Sequence, residues 1–105
     1  MVSRGEVWLT EFDVPGEAAG GSRPCVVVSP PEIHDFLRLV MVAPLAAATK
    51  PAAYRVPVKL AGAAGVIRLE QLRTVDRRQL IRQVGEVERQ TLDAALTTLR
   101  EMFAD

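Results

Sequence analysis

Arg23 follows a glycine-rich stretch and precedes Pro24-Cys25-Val26-Val27-Val28-Ser29, an almost wholly apolar run. A guanidinium at the root of a rigid strand presents planar, paired N–H donors that match two phosphate oxygens at once. It keeps its proton up to a pH of about 12, so its chemistry is electrostatic rather than proton transfer. The same residue would also suit a strand end paired with a surface acid. A second group lies at Glu70-Gln71-Leu72-Arg73-Thr74-Val75-Asp76. Alternation along a strand puts Gln71, Arg73 and Val75 on one face and Glu70, Leu72, Thr74 and Asp76 on the other. On the first face an amide can read a base edge beside a guanidinium that takes a phosphate. Thr74 and Asp76 suit the cap of a following turn. His34 is the only histidine and the only side chain that ordinarily titrates near neutrality. It follows Pro30-Pro31, and a surface position is expected. One histidine and one cysteine are too few for a zinc site of the His/Cys kind.

These groups are set in an uneven charge pattern. The chain of 105 residues has thirteen basic and thirteen acidic side chains. Residues 1–35 carry a net −4, residues 36–82 a net +7, and residues 83–105 a net −3. A general nucleic-acid binder is usually basic throughout. A cationic middle on a neutral body is compatible with a local anion site, and equally with lysines and arginines that guard exposed strand edges. Arg77, Arg78 and Arg82 fit either description. The lone Cys25 has no partner for an internal disulfide, which is consistent with a reducing cytoplasm. No apolar run nears the roughly 20 residues that a membrane span requires. The start, Met1 to Glu6, does not read as a signal peptide.

The residues must be positioned by a mainly β fold. Strands are expected at 5–13, 24–29, 38–44, 54–58, 65–69, 72–75 and 83–86, from β-forming residues bounded by Gly and Pro. Loops are expected at 14–22 and 45–53, a turn at Ala61–Ala64 around Gly62, and helical turns at Glu32–Leu37 and Asp76–Leu80. Pro57 marks an edge strand or a bulge. Leu92, Ala95, Leu96, Leu99, Met102 and Phe103 recur at three- and four-residue steps, which predicts one amphipathic helix packed on the sheet. Trp8 and Phe12 are read as core, as is Cys25. Many short strands with one terminal helix point to one domain, a small bent sheet or barrel, and not to βαβ units.

Three segments carry a resemblance: Arg4-Gly-Glu-Val-Trp-Leu-Thr-Glu-Phe-Asp13, Gly21-Ser-Arg-Pro-Cys-Val-Val-Val-Ser-Pro30 and Val66-Ile-Arg-Leu-Glu-Gln-Leu-Arg-Thr-Val-Asp76. In this order and spacing they resemble the MazF/PemK toxins of type II toxin–antitoxin systems, over nearly the whole of residues 1–105. The resemblance implies an SH3-like barrel of the CcdB/PemK type with a C-terminal helix. It implies a cytoplasmic homodimer that cuts single-stranded RNA, including mRNA, at short motifs without a metal or other cofactor. The products would be a 2′,3′-cyclic phosphate and a 5′-hydroxyl. A cognate antitoxin would block the RNA groove.

Residue by residue, the resemblance assigns Arg23 as the catalytic arginine of an Arg-Pro motif and Gln71 and Arg73 as RNA contacts. Glu17 stands near the family's proposed base, although a solvated loop glutamate fits as well. The family's threonine after the third strand falls on Ala46, which cannot donate a hydrogen bond. Thr49 is placed as a hydroxyl reaching in from a shifted loop, with Lys50 beside it as an RNA contact. Two alternatives follow: a catalytically impaired homologue that binds antitoxin, and a gyrase inhibitor of the CcdB kind. The ending Arg100-Glu-Met-Phe-Ala-Asp105 lacks the Trp-Gly-Ile-like close associated with that last group.

Overall fold

The structure is a computed structural model that describes residues 2–11, 21–47 and 52–105. Among the described residues, seven strands form one antiparallel sheet: β1 (Glu6–Glu11), β2 (Ser22–Val27), β3 (Leu39–Ala47), β4 (Arg55–Leu60), β5 (Ala63–Arg68), β6 (Arg73–Asp76) and β7 (Leu80–Glu86). Two helices accompany them, α1 (Pro31–Leu37) and α2 (Arg89–Met102). The strand order is β4-β5-β3-β2-β1-β7, with β6 also on β3. The sheet curls until its two ends meet: Leu60 on β4 packs so close to Gly85 on β7 that a Cβ there would lie 2.6 Å from Leu60 Cδ1. This is the expected small, strongly bent sheet.

β3 is the shared element. It pairs β2 through Cys25↔Pro44, Val26↔Ala43 and Val27↔Val42. It pairs β6 at Val42↔Arg73 and β5 at Leu45↔Ile67. Between those two points, residues 68–72 stand against only Ala43 and Pro44. The surplus is taken up by a 3₁₀ turn at Leu69–Gln71, whose Leu69 is buried while Glu70 projects outward. Strand β3 also runs through Ala47, beyond the loop start expected at residue 45. Cross-strand bonds to β5 extend it where composition alone suggested flexibility.

Two apolar clusters form on the two faces of the sheet. The larger holds Val7, Val26, Ala43, Leu45, Val56, Ile67 and Leu69 under Leu92 and Ala95 of α2. Leu96, Leu99 and Met102 pack at its margin, but Phe103 is 74% exposed and is not the helix anchor that its spacing suggests. The helix has reached its C-cap there, so the periodic face no longer lies over the sheet. The smaller cluster holds Val2, Cys25, Val27, Val40, Val42 and Val75, with Trp8 and Leu80 against it. Phe12 lies outside the described residues.

The β4–β5 hairpin closes with Ala61 and Gly62, both at positive φ (51° and 82°). Its flanking pair is Leu60↔Ala63, so the loop is a two-residue turn of the type that favours Asn-Gly. Ala61 is strained there, and Ala61→Asn should raise stability by about 0.5–1 kcal/mol in urea denaturation. Gly65→Ala should do the opposite, because its Cβ would sit 2.7 Å from the Ala46 carbonyl oxygen, a backbone atom that cannot step aside. The expected loss is about 1–3 kcal/mol; equal midpoints for wild type and Gly65→Ala would contradict this packing.

Candidate functional site

The site begins with register. Arg23 on β2 pairs with Thr10 on β1, and Cys25 pairs with Trp8. Strand alternation therefore sends Thr10, Trp8, Arg23 and Cys25 to one face. Cys25 also pairs with Pro44, two residues along β3 from Val42, and Val42 pairs with Arg73. Arg73 thus joins the same face from the other side of β3. Both guanidinium groups act electrostatically on the Cys25 thiol, so two arginines some fifty positions apart in sequence converge on one patch. Each is half-buried, which restricts the motion of their stems and strengthens their field relative to open water.

At the centre of that patch, burial pushes the Cys25 thiol up to about 11, against smaller opposing pulls from the Thr10 hydrogen bond and from Arg73 and Arg23. It is therefore a neutral thiol at physiological pH and a poor nucleophile. Its role is the core position expected from sequence.

Alternation along β3 from Pro44, the last residue paired with β2 and opposite Cys25, puts Ala46 on the face that carries Arg23. Ala46 pairs in turn with Val66 on β5, and Val66 with Pro57 on β4. Thr10 and Arg23 on one side of the sheet, and Ala46, Val66 and Pro57 on the other, therefore share one face. Ala46 presents to that face a methyl group, which has no hydrogen-bond donor.

Of the remaining sequence candidates, Glu17, Thr49 and Lys50 lie outside the described residues. Gln71 ends the 3₁₀ turn and is not on a strand; the turn breaks the alternation that was to align it with Arg73. Arg73 and Val75 do share a face, as expected. Asp76 caps the next turn, accepting from the Arg78 amide at 2.8 Å, while Gln79 Oε1 accepts from the Asp76 amide at 2.7 Å. The Arg78 hydrogen bonds hold the Asp76 carboxyl below its ordinary range. Thr74 is exposed and caps nothing.

His34 is a correction. It is 1% exposed, not a surface residue. Its Nδ1 lies 3.1 Å from the Val2 carbonyl, which can only accept, so Nδ1 carries the proton. Nε2 then accepts from the Ser29 hydroxyl at 2.6 Å, and Ser29 Oγ accepts from the Met41 amide at 2.9 Å. Every polar atom of the ring is satisfied internally. Ser29 is six residues along the strand direction from Arg23, roughly 20 Å, so the pair belongs to the scaffold.

Two arginines were missed. Arg68 and Arg55 are cross-strand partners on β5 and β4, and their parity with Val66 and Pro57 places them on the face of Ala46 and Arg23. Arg55 donates from Nε and Nη2 to Glu70 Oε2 at 3.0 and 2.9 Å. Arg68 Nε is buried and without a hydrogen-bond partner among the described residues. The signal was present in sequence: Ile67 and Leu69 are apolar and inward, so Arg68 between them points outward. Arg55, Arg68 and Arg73, from the cationic middle of the chain, thereby share one sheet face with Arg23.

The sequence profile of the family described as PemK-like, MazF-like toxin of type II toxin–antitoxin system matches residues 3–103. The chain is 32% identical over 81 residues to the Escherichia coli protein named Endoribonuclease PemK, covering 71% of this chain and 61% of that relative's length. Among solved structures it is similar to MazF from Deinococcus radiodurans, at 25% identity and a TM-score of 0.78, covering 96% of this chain and 94% of the other. It also matches a mycobacterial endoribonuclease in complex with its cognate antitoxin, at 20% identity and a TM-score of 0.80 over 96% and 93% of the two chains. The last likeness concerns the fold: a curled antiparallel sheet with a C-terminal helix.

The Cys25 environment makes a separable prediction. A thiol held at about 11 in the folded protein ionises near 9 when unfolded. Between those values the unfolded chain releases a proton that the folded chain retains, so stability falls as pH rises from 9 to 11. The expected loss is about 2–3 kcal/mol. Cys25→Ala should lack this component when its pH dependence is subtracted from that of wild type; identical slopes in the two proteins would refute the assignment.

Proposed function

Because the chain belongs to the PemK-like, MazF-like family of type II toxins, we propose that it is an endoribonuclease that cuts single-stranded RNA on the face carrying Arg23 and Arg73. The observation that carries this reading is the convergence of those two guanidinium groups from β2 and β6 on one patch around Cys25. A phosphodiester entering there meets planar donors on both sides of β3, held by strands whose backbone is fixed in the sheet. Arg68, on the same face, extends the cationic surface along the strand of nucleic acid.

The reaction draws its nucleophile from the substrate. The 2′-hydroxyl loses its proton and its oxygen bonds to the adjacent phosphorus. The bond from phosphorus to the 5′-oxygen breaks, and that oxygen takes up a proton. A 2′,3′-cyclic phosphate and a 5′-hydroxyl result. The crowded intermediate gathers negative charge on its equatorial oxygens, and Arg23 stabilises that charge more than it stabilises the ground state. Glu17 is the candidate base for the 2′-hydroxyl and Thr49 a candidate hydrogen-bond donor to the phosphate. Gln71 and Lys50 would contact the RNA away from the scissile bond. In this reading the chain acts as one toxin domain in the cytoplasm, forms a homodimer, takes mRNA as substrate and is blocked by a cognate antitoxin.

The methyl of Ala46 favours a second reading. A hydroxyl beside the arginine would supply one more donor, and losing one such donor costs roughly 100- to 1000-fold in rate. A slow enzyme, or one that only binds its antitoxin, would fit that position.

The test is cleavage of a long single-stranded RNA in EDTA. Wild type should give discrete cuts ending in cyclic phosphate. Arg23→Ala should lose at least about 100-fold in rate with an unchanged thermal midpoint, and Ala46→Thr should gain. Cuts that persist undiminished in Arg23→Ala would reject the site. Silence in wild type with activity in Ala46→Thr would select the second reading.

A further inference from the structure

The two-residue turn at Ala61 and Gly62 fixes more than the tip of its hairpin. It makes Leu60↔Ala63 a hydrogen-bonded pair, and alternation down the ladder gives the same character to Val58↔Gly65 and Val56↔Ile67. Tyr54 and Leu69 continue the series, with the Leu69 amide donating to the Tyr54 carbonyl at 3.1 Å. The intervening pairs, Pro57↔Val66 and Arg55↔Arg68, are then the non-hydrogen-bonded ones. Pro57 fits such a position because it has no N–H to give. The Arg55 amide likewise turns away from β5 and donates to the Ala52 carbonyl at 3.2 Å. Side chains stand closest in pairs of this kind, with Cα atoms about 4.5 Å apart. Two half-buried arginines are therefore set directly opposite on one face, and like charges so placed oppose the pairing of their strands. Glu70 offsets this. Its Oε2 accepts from Arg55 Nε at 3.0 Å and from Nη2 at 2.9 Å, which draws the head of Arg55 towards the 3₁₀ turn. Arg68 Nε, by contrast, is buried with no hydrogen-bond partner among the described residues.

We propose that Arg55 and Glu70 are positioning residues for Arg68: their pair keeps the Arg55 guanidinium turned aside, so that of the two arginines Arg68 is the one that meets the RNA backbone. The inference rests on the ribonuclease reading and adds to it two side chains that touch no substrate. The pair suits this role because it is electrically neutral. An unpaired carboxylate beside the Arg23 face would repel a polyanion, and a second unpaired guanidinium would push Arg68 from its place. Joined, the two charges largely cancel. The pair also ties the 3₁₀ turn to the start of β4, next to the Leu69–Tyr54 backbone bond. A partly exposed pair of this kind contributes little to overall stability, so its loss is read in RNA binding and not in unfolding. Two other roles compete: Arg55 as a phosphate contact in its own right, and Glu70 as a proton acceptor. Positioning is favoured because each group already takes the other as a partner.

The experiment measures cleavage of a long single-stranded RNA in EDTA, and binding of a short RNA 2′-O-methylated so that it cannot be cut. The variants are Arg68→Ala, Arg55→Met, which keeps the apolar stem, the two combined, and Glu70→Ala. Arg68→Ala and Arg55→Met should each weaken binding about three- to tenfold, and the double variant no more than Arg68→Ala alone. Losses that multiply in the double variant would make Arg55 a contact of its own and overturn the proposal. Glu70 is exposed, so Glu70→Ala should keep the wild-type thermal midpoint, and it carries the deciding sign. Deleting the negative charge of a bystander tightens binding to a polyanion, whereas loss of the clasp should weaken it, by about the same three- to tenfold factor. Tighter binding would overturn the proposal. Unchanged binding with cleavage lost would also overturn it, in favour of Glu70 as a proton acceptor. Wild type that neither binds nor cuts RNA would sink the ribonuclease reading and this inference with it. Wild type that does both, beside variants that miss these expectations, would sink this inference alone.

Discussion

The hydrogen bonds of β3 constrain everything else. Within nine residues, Leu39–Ala47, this strand pairs with β6, β2 and β5, and the registers of β5 and β6 along it disagree by three residues. Buried backbone groups cannot be left unpaired without substantial cost, so the discrepancy is resolved by extruding Leu69–Gln71 as a 3₁₀ turn. That extrusion anchors the turn in the core through Leu69 and resets the alternation, so that Arg73 emerges on the face of Arg23. Without the offset, Arg73 would fall on the opposite face of its strand. The juxtaposition on which the proposed chemistry depends is thus a matter of strand counting before it is a matter of charge.

The same offset marks where sequence reading succeeds and where it stops. The continuous apolar run at Pro24–Ser29 identified a central strand because burial on both faces leaves no polar alternation. The Gly62 turn, the Asp76 cap and the terminal helix are local signals, encoded within a few residues of where they act. Gln71 was misplaced because alternation assumes an uninterrupted strand, and nothing within Glu70–Asp76 records what β3 requires. His34 was misread for a related reason. Its ring is satisfied by Ser29 and by the Val2 carbonyl, 32 residues away, and such a partner is invisible until the fold brings the N-terminal segment against α1. Arg68 was legible in the pattern around Ile67 and Leu69 but gained meaning only when β5 was seen to share a face with β2. Glu17, Thr49 and Lys50 fall in segments whose composition indicated loops and carried no periodicity to place them.

Electrostatically, the protein separates a neutral whole from a charged face. Acidic residues predominate in the first 35 residues and in the last 23, while Arg23, Arg55, Arg68 and Arg73 come from strands that share one face. Arg55 pairs with Glu70 in a partly buried contact, and by strand parity Arg23, Arg68 and Arg73 share its sheet face. A local field of this kind attracts a polyanion to one side only and orients it on arrival.

Cys25 offers a kinetic window on this architecture. It is the chain's only cysteine, it is fully buried, and it occupies the central strand between the two arginines. A thiol reagent can reach it only when the sheet parts there. Its modification rate therefore counts openings of the site's own foundation, in the manner of hydrogen exchange at a single chosen atom. Any ligand that clamps the Arg23 face closed would slow that clock without touching the sulfur.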